Sequence, residues 1–160
     1  MTEWTKETKV NLSFENGILK AHSPLGRNHW ELKASSLVLI AEYTTNEGPW
    51  VDDYFLVFIA VQNRQPLICQ VTFYADGIEK SLHALGEALD ANLYLGLTAS
   101  THWKSNVIWP ATLAGEPYYE FANVSPTTII SKANQILLGP TQSYCIAEGV
   151  RRYLSEQPHA

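Results

Sequence analysis

The chain has 160 residues, a net charge of −5 and two cysteines in a composition that is 46% hydrophobic. That length supports one domain with its own core and leaves little for a second. Lysines and arginines are scattered apart from Arg151–Arg152, so the basic footprint of a nucleic-acid binder is missing.

Met1–Lys9 is polar and reads as a flexible arm. Val10, Leu12 and Phe14 alternate with polar residues, the period of a strand. Asn16-Gly17 tolerates positive φ and predicts a hairpin, with Ile18–His22 as the returning strand. Ser23–Gly26 is a loop, and Trp30 and Leu32 alternate in a third strand around His29–Lys33. Leu37–Tyr43 is apolar without interruption up to Glu42, the pattern of a strand buried on both faces. Asn46–Pro49 is dense in turn residues. Tyr54–Val61 is rich in aromatic and β-branched residues, the strongest strand pattern in the chain. Asn63–Pro66 turns the chain into a strand over Pro66–Tyr74. Connections this short predict antiparallel pairing.

Asp76 stands where a helix N-cap is needed, and Glu79 completes a pair resembling a capping box. Ile78, Leu82, Leu85 and Leu89 then fall on one helical face. Gly86 weakens that helix and suits the close approach of a strand. Tyr94–Leu97 fits a strand or a helix exit, Val107–Pro110 a short strand, Ala114–Pro117 a turn and Tyr118–Phe121 another strand. Ser125-Pro126 opens a helix carrying Ile129, Ile130, Ala133, Ile136 and Leu137, stopped by Gly139-Pro140. A further helix is predicted over Gln142–Ser155, striped by Ile146, Val150, Tyr153 and Leu154, with Arg151–Arg152 nearing its negative end. The alternative makes Thr127–Ser131 and Gln135–Leu138 strands. The expected fold is α+β: a largely antiparallel sheet of about six to eight strands. It packs against a central amphipathic helix and C-terminal helices, in a single domain over residues 1–160.

Cys69 and Cys145 lie far apart in apolar settings, with no CxxC partner or adjacent histidine. They read as small buried thiols in a reducing compartment, the cytoplasm. Met1–Asn11 contains no apolar leader segment, and no apolar run approaches the ~20 residues of a membrane span.

The unusual chemistry is concentrated in the turn from Glu42 to Asp53. Glu42, Glu47, Asp52 and Asp53 surround Trp50 there. Their spacing is not that of a calcium loop, and adjacent aspartates on a strand point to opposite faces. The ordinary reading is a solvated turn whose charges guard strand ends. The functional reading is a protein-contact surface made of Glu42, Glu47, Trp50, Asp52 and Asp53, with the tryptophan as anchor. His22, His29 and His102 sit on separate segments without an HxH or HExxH pattern, and each reads as a surface or structural histidine. His83 reads as a boundary residue of the central helix. No structural-zinc spacing occurs, so no metal or cofactor is expected. Nucleophile elbows, Cys-His motifs and glycine-rich phosphate loops are also missing. Trp103, Trp109, Tyr118, Tyr119 and Phe121 cluster as either core or the walls of a groove.

These features point to a non-enzymatic cytoplasmic protein-binding domain of the inhibitor, immunity or regulatory-adaptor kind. Its expected partner is a protein, basic if charge complementarity decides, or a second copy of the chain; nucleic acid and membrane are not expected. The alternative is a small-molecule-binding domain or enzyme with a site between sheet and helices. Asp52 or Glu42 would then work with His29 or His102 as acid and base.

Overall fold

The computed structural model describes residues 9–24, 29–46, 51–123 and 142–157. Among them, nine strands form three antiparallel sheets, joined by two α-helices. The first sheet has the order β1-β2-β3, with β1 Asn11–Glu15, β2 Ile18–His22 and β3 Trp30–Lys33. Its first hairpin turns at Asn16 (φ 52°) and Gly17 (φ 74°), the paired left-handed conformation a two-residue turn requires. One 3-10 turn leads into β4, Leu37–Thr44. β5 (Tyr54–Gln62), β6 (Gln65–Thr72) and β7 (Lys104–Trp109) complete a four-stranded sheet of order β6-β5-β4-β7. β8 (Tyr119–Asn123) and β9 (Gln142–Ile146) make the third sheet. α1 spans Ile78–Ala88 and α2 spans Glu148–Glu156.

The expected sheet is thus divided into three, and the apolar pattern supplies the reason. β4 and β5 are apolar on both faces, so the four-stranded sheet must be covered twice. On one face Ile40, Leu56 and Phe58 pack with Leu12, Leu19 and Leu32 of the first sheet and with Ile78, Leu82 and Leu85 of α1. On the other, Leu39, Ala41, Val57 and Ile59 pack with Tyr118 and with Val150 of α2. Alternate residues of one strand serve the two cores, as the pleat dictates. Leu89, the last member of the predicted stripe, packs at the core margin.

Several local expectations are corrected. Asp76 does not cap α1: the N-cap is Gly77, in the left-handed conformation, and no side chain caps it. The Asp76 backbone instead joins β1, its N–H donating to Val10 O (2.9 Å) and its O accepting from Leu12 N–H (2.8 Å). A Cβ on Gly77 would lie 2.4 Å from Leu12 O, so this docking needs glycine. Gly86 admits not a strand but the returning chain, whose Ala91 O would be 2.7 Å from a Cβ there. The helix expected from residue 142 begins only at Glu148, because the preceding residues pair with β8, Tyr119 opposite Ile146. Arg151 and Arg152 consequently stand outside the last turn and pair at the surface with Glu120 (3.3 Å) and Glu148 (3.1 Å). Residues 94–97 form neither strand nor helix, whereas β7 starts earlier than expected, at Lys104. The helix expected over residues 125–138, its strand alternative and the arm before residue 9 lie outside the described residues.

The two flanks of the four-stranded sheet differ. Phe73 N–H donates to Tyr54 O (2.9 Å), so the even-numbered residues of β6 point their peptide groups outward. Pro66 has no N–H to offer there, and the Trp30 indole N–H donates to Gln70 O (3.1 Å). On the β7 flank, Val107 faces outward and is satisfied by residues 115 and 116: its N–H donates to Glu116 O (2.8 Å), and its O accepts from Gly115 N–H (2.9 Å). Alternation gives Ser105 the same outward orientation. Among the described residues no helix is long and apolar enough to cross a membrane.

Candidate functional site

Glu42 is fully buried in β4. Its carboxylate accepts hydrogen bonds from the Tyr54 hydroxyl, the Gly96 N–H (2.7 Å) and the Asn106 side-chain amide (3.0 Å). The Tyr54 ring is stacked on Phe73, centroids 4.4 Å apart. The sequence signal for this was available: Glu42 interrupts a run already read as buried on both faces, and a buried carboxylate must find donors. Asp53 is half-buried and accepts from the Tyr74 hydroxyl (2.6 Å), whereas Asp52 is exposed beside Val51. Glu47 and Trp50 lie outside the described residues. The carboxylates of the turn therefore divide between the interior and the surface. Among the described residues, no three metal-ligating side chains converge.

The histidines sit elsewhere. His29 contacts His22, and His102 is exposed, its backbone carbonyl accepting from the Thr44 hydroxyl (2.6 Å). The hydrogen-bond donors to Glu42 are a tyrosine, a glycine and an asparagine, so this geometry lends no support to an acid–base pair of Glu42 with a histidine.

Tyrosines carry the perturbed acidities. Burial first, and then the Glu42 carboxylate, push Tyr54 far above its ordinary value of 10.0. The hydrogen bond to Asp53 raises Tyr74 to about 12, and burial raises Tyr118 to about 12. Unfolded tyrosines lose their protons near pH 10 while these groups hold theirs. Above that pH the unfolded chain binds fewer protons than the native one, so stability present below about pH 10 falls as the pH rises toward the folded values. Urea unfolding between pH 8 and about pH 11.5 should show this decline, and Tyr54→Phe should make it shallower. A Tyr54→Phe profile parallel to wild type would remove Tyr54 from the account.

A cleft of about 410 Å³ runs along the β7 flank, lined by Gly96, Trp103, Ser105, Asn106, Tyr119 and Phe121 among others. β7 and β8 are not laddered together. The Ser105 hydroxyl oxygen bridges them instead, accepting from the backbone N–H groups of Tyr118 (3.1 Å) and Tyr119 (2.9 Å). Asn106 links the cleft to the interior. Its amide nitrogen is held by Glu42, which turns its carbonyl oxygen away as an acceptor. The aromatic cluster is divided between the cores and the cleft. Tyr118 is buried in one core, and Trp109 and Tyr119 pack against the cores; Tyr119 also lines the cleft with Trp103 and Phe121, Phe121 at 56% exposure. A second depression of about 560 Å³ follows α1, where Glu79, His83, Glu87 and Asp90 give it a charged wall.

In class the chain is an α+β protein with a central four-stranded antiparallel sheet and a cleft along one flank of it. No protein-family model, curated protein or solved structure matches it.

Proposed function

We propose that the chain is a non-enzymatic protein-binding domain that takes an extended segment of its partner into the cleft beside β7. What supports this reading is the cleft walled by Trp103, Tyr119 and Phe121, onto which the alternation along β7 turns the peptide group of Ser105. An extended polypeptide supplies the matching N–H and C=O, and a side chain to fill the aromatic wall. Catalysis has less support, because the buried carboxylate is occupied by three internal donors.

The turn bearing Asp52 and Asp53 lies at the same end of the sheet. Thr44 is opposite both Tyr54 and Lys104, so β5 and β7 are two strand spacings, about 10 Å, apart there. These carboxylates favour a basic residue flanking the docked segment, and Lys104 at the cleft favours an acidic one within it.

Selection of binders from a displayed random-peptide library tests the reading. Enriched peptides should carry an aromatic or large aliphatic residue. They should shift the amide resonances of residues 103–106 and 119–121, and lose at least about 10-fold in affinity for Phe121→Asp. The double change Asp52→Asn and Asp53→Asn should mainly slow association and flatten its salt dependence. Peptides that bind Phe121→Asp as tightly as wild type would overturn the proposal.

A further inference from the structure

The first sheet holds a pair of histidines that the cleft does not use. Ala21 is opposite Trp30, so the next cross-strand position sets His22 of β2 against His29 at the entry to β3. Their Nδ1 atoms are 3.2 Å apart, with the rings edge-to-face at 89°. Both are exposed, and Asn11 of β1 is opposite His22 in the same row. The adjoining row, Leu12, Ala21 and Trp30, turns to the other face and packs in or against the core, so the backbone beneath the pair is anchored. Two residues along, Lys20 and Glu31 neutralise each other at 3.5 Å.

We propose that His22 and His29 form a two-imidazole clip for a divalent transition ion, with zinc as the best geometric match. Two nitrogens bound about 2.05 Å from one tetrahedral zinc are about 3.3 Å apart, close to the separation already present. A modest tilt of each ring turns both lone pairs toward a shared point. The ring that donates the Nδ1···Nδ1 hydrogen bond moves its proton to Nε2, so both Nδ1 atoms become ligands and each ring stays neutral. Imidazole selects zinc, nickel or copper over calcium and magnesium, which take oxygen ligands. With two protein ligands, the remaining positions belong to water or to a donor from a second molecule. The register of the strands, set without the ion, supplies the preorganisation.

Calorimetric titration of the tag-free chain with zinc chloride tests the clip, with nickel chloride as a second ion. One saturable equivalent is expected. His22→Ala and His29→Ala should each weaken it by at least about 10-fold, and the double variant little further, because one imidazole alone is no clip. His83→Ala and His102→Ala, also at exposed positions, should leave it unchanged. Circular dichroism establishes that each variant is folded. The proposal is overturned if no saturable binding appears below about 1 mM zinc, or if either His22→Ala or His29→Ala binds as wild type does.

Discussion

Glu42→Ala is expected to cost about 3 kcal/mol or more of folding stability, about 1 or more for each donor left without an acceptor. The substitution leaves the Tyr54 hydroxyl, the Gly96 N–H and the Asn106 amide without their common acceptor, at a position that is 0% exposed, and opens a cavity as well. Glu42→Gln should be much milder. Its carbonyl oxygen can accept from Gly96 and Asn106, and the Tyr54 hydroxyl can reverse to accept from the new amide. Urea denaturation of the two variants decides the matter. A Glu42→Ala loss below about 0.5 kcal/mol, the size of an ordinary surface change, would mean that the carboxylate is not held as described. Because Asn106 is oriented by Glu42, the alanine variant should also weaken the peptide binding proposed for the cleft.

Leu85→Ala is expected to destabilise the chain by about 2–5 kcal/mol, the range for leucines truncated inside a core. Leu85 is 0% exposed and packs in the core that joins α1 to the sheets, where little backbone movement can close the space. Leu89→Ala, at the margin of that core, should cost clearly less. Equal losses from the two would contradict the burial gradient along the helix.

Residues with strong local periodicity were readable from sequence. The Asn16-Gly17 hairpin, the β4–β6 strands and the Ile78–Leu82–Leu85 face follow from turn chemistry and from the two periods of strand and helix. Two of the failures come from a long-range partner, whereas at Gly86 the chain that approaches is its own return, five residues on. Asp76 has the chemistry of a cap, yet its backbone is claimed by β1, and the distance from Leu12 is invisible in a local window. The segment from residue 142 carries a tolerable helical stripe, but pairing with β8 decides its first turn. At the site, the short-range cluster of carboxylates misled because chain proximity does not set direction: Glu42 points into the core, while Asp52 remains in solvent. The cleft joins residues 96, 103–106 and 117–121, segments whose juxtaposition depends on the sheet order. Only its aromatic composition was visible beforehand.

The unlike flanks of the four-stranded sheet bear on the stoichiometry of any complex formed at β7. On the β6 side a proline and an indole interfere with strand addition, so a segment docked at β7 as proposed would find no second receptive border among the described strands of this sheet. Two receptive borders would let copies join head to tail without closure, which is how fibres start. With one, the assembly proposed above would stop after the first addition, as a one-to-one complex.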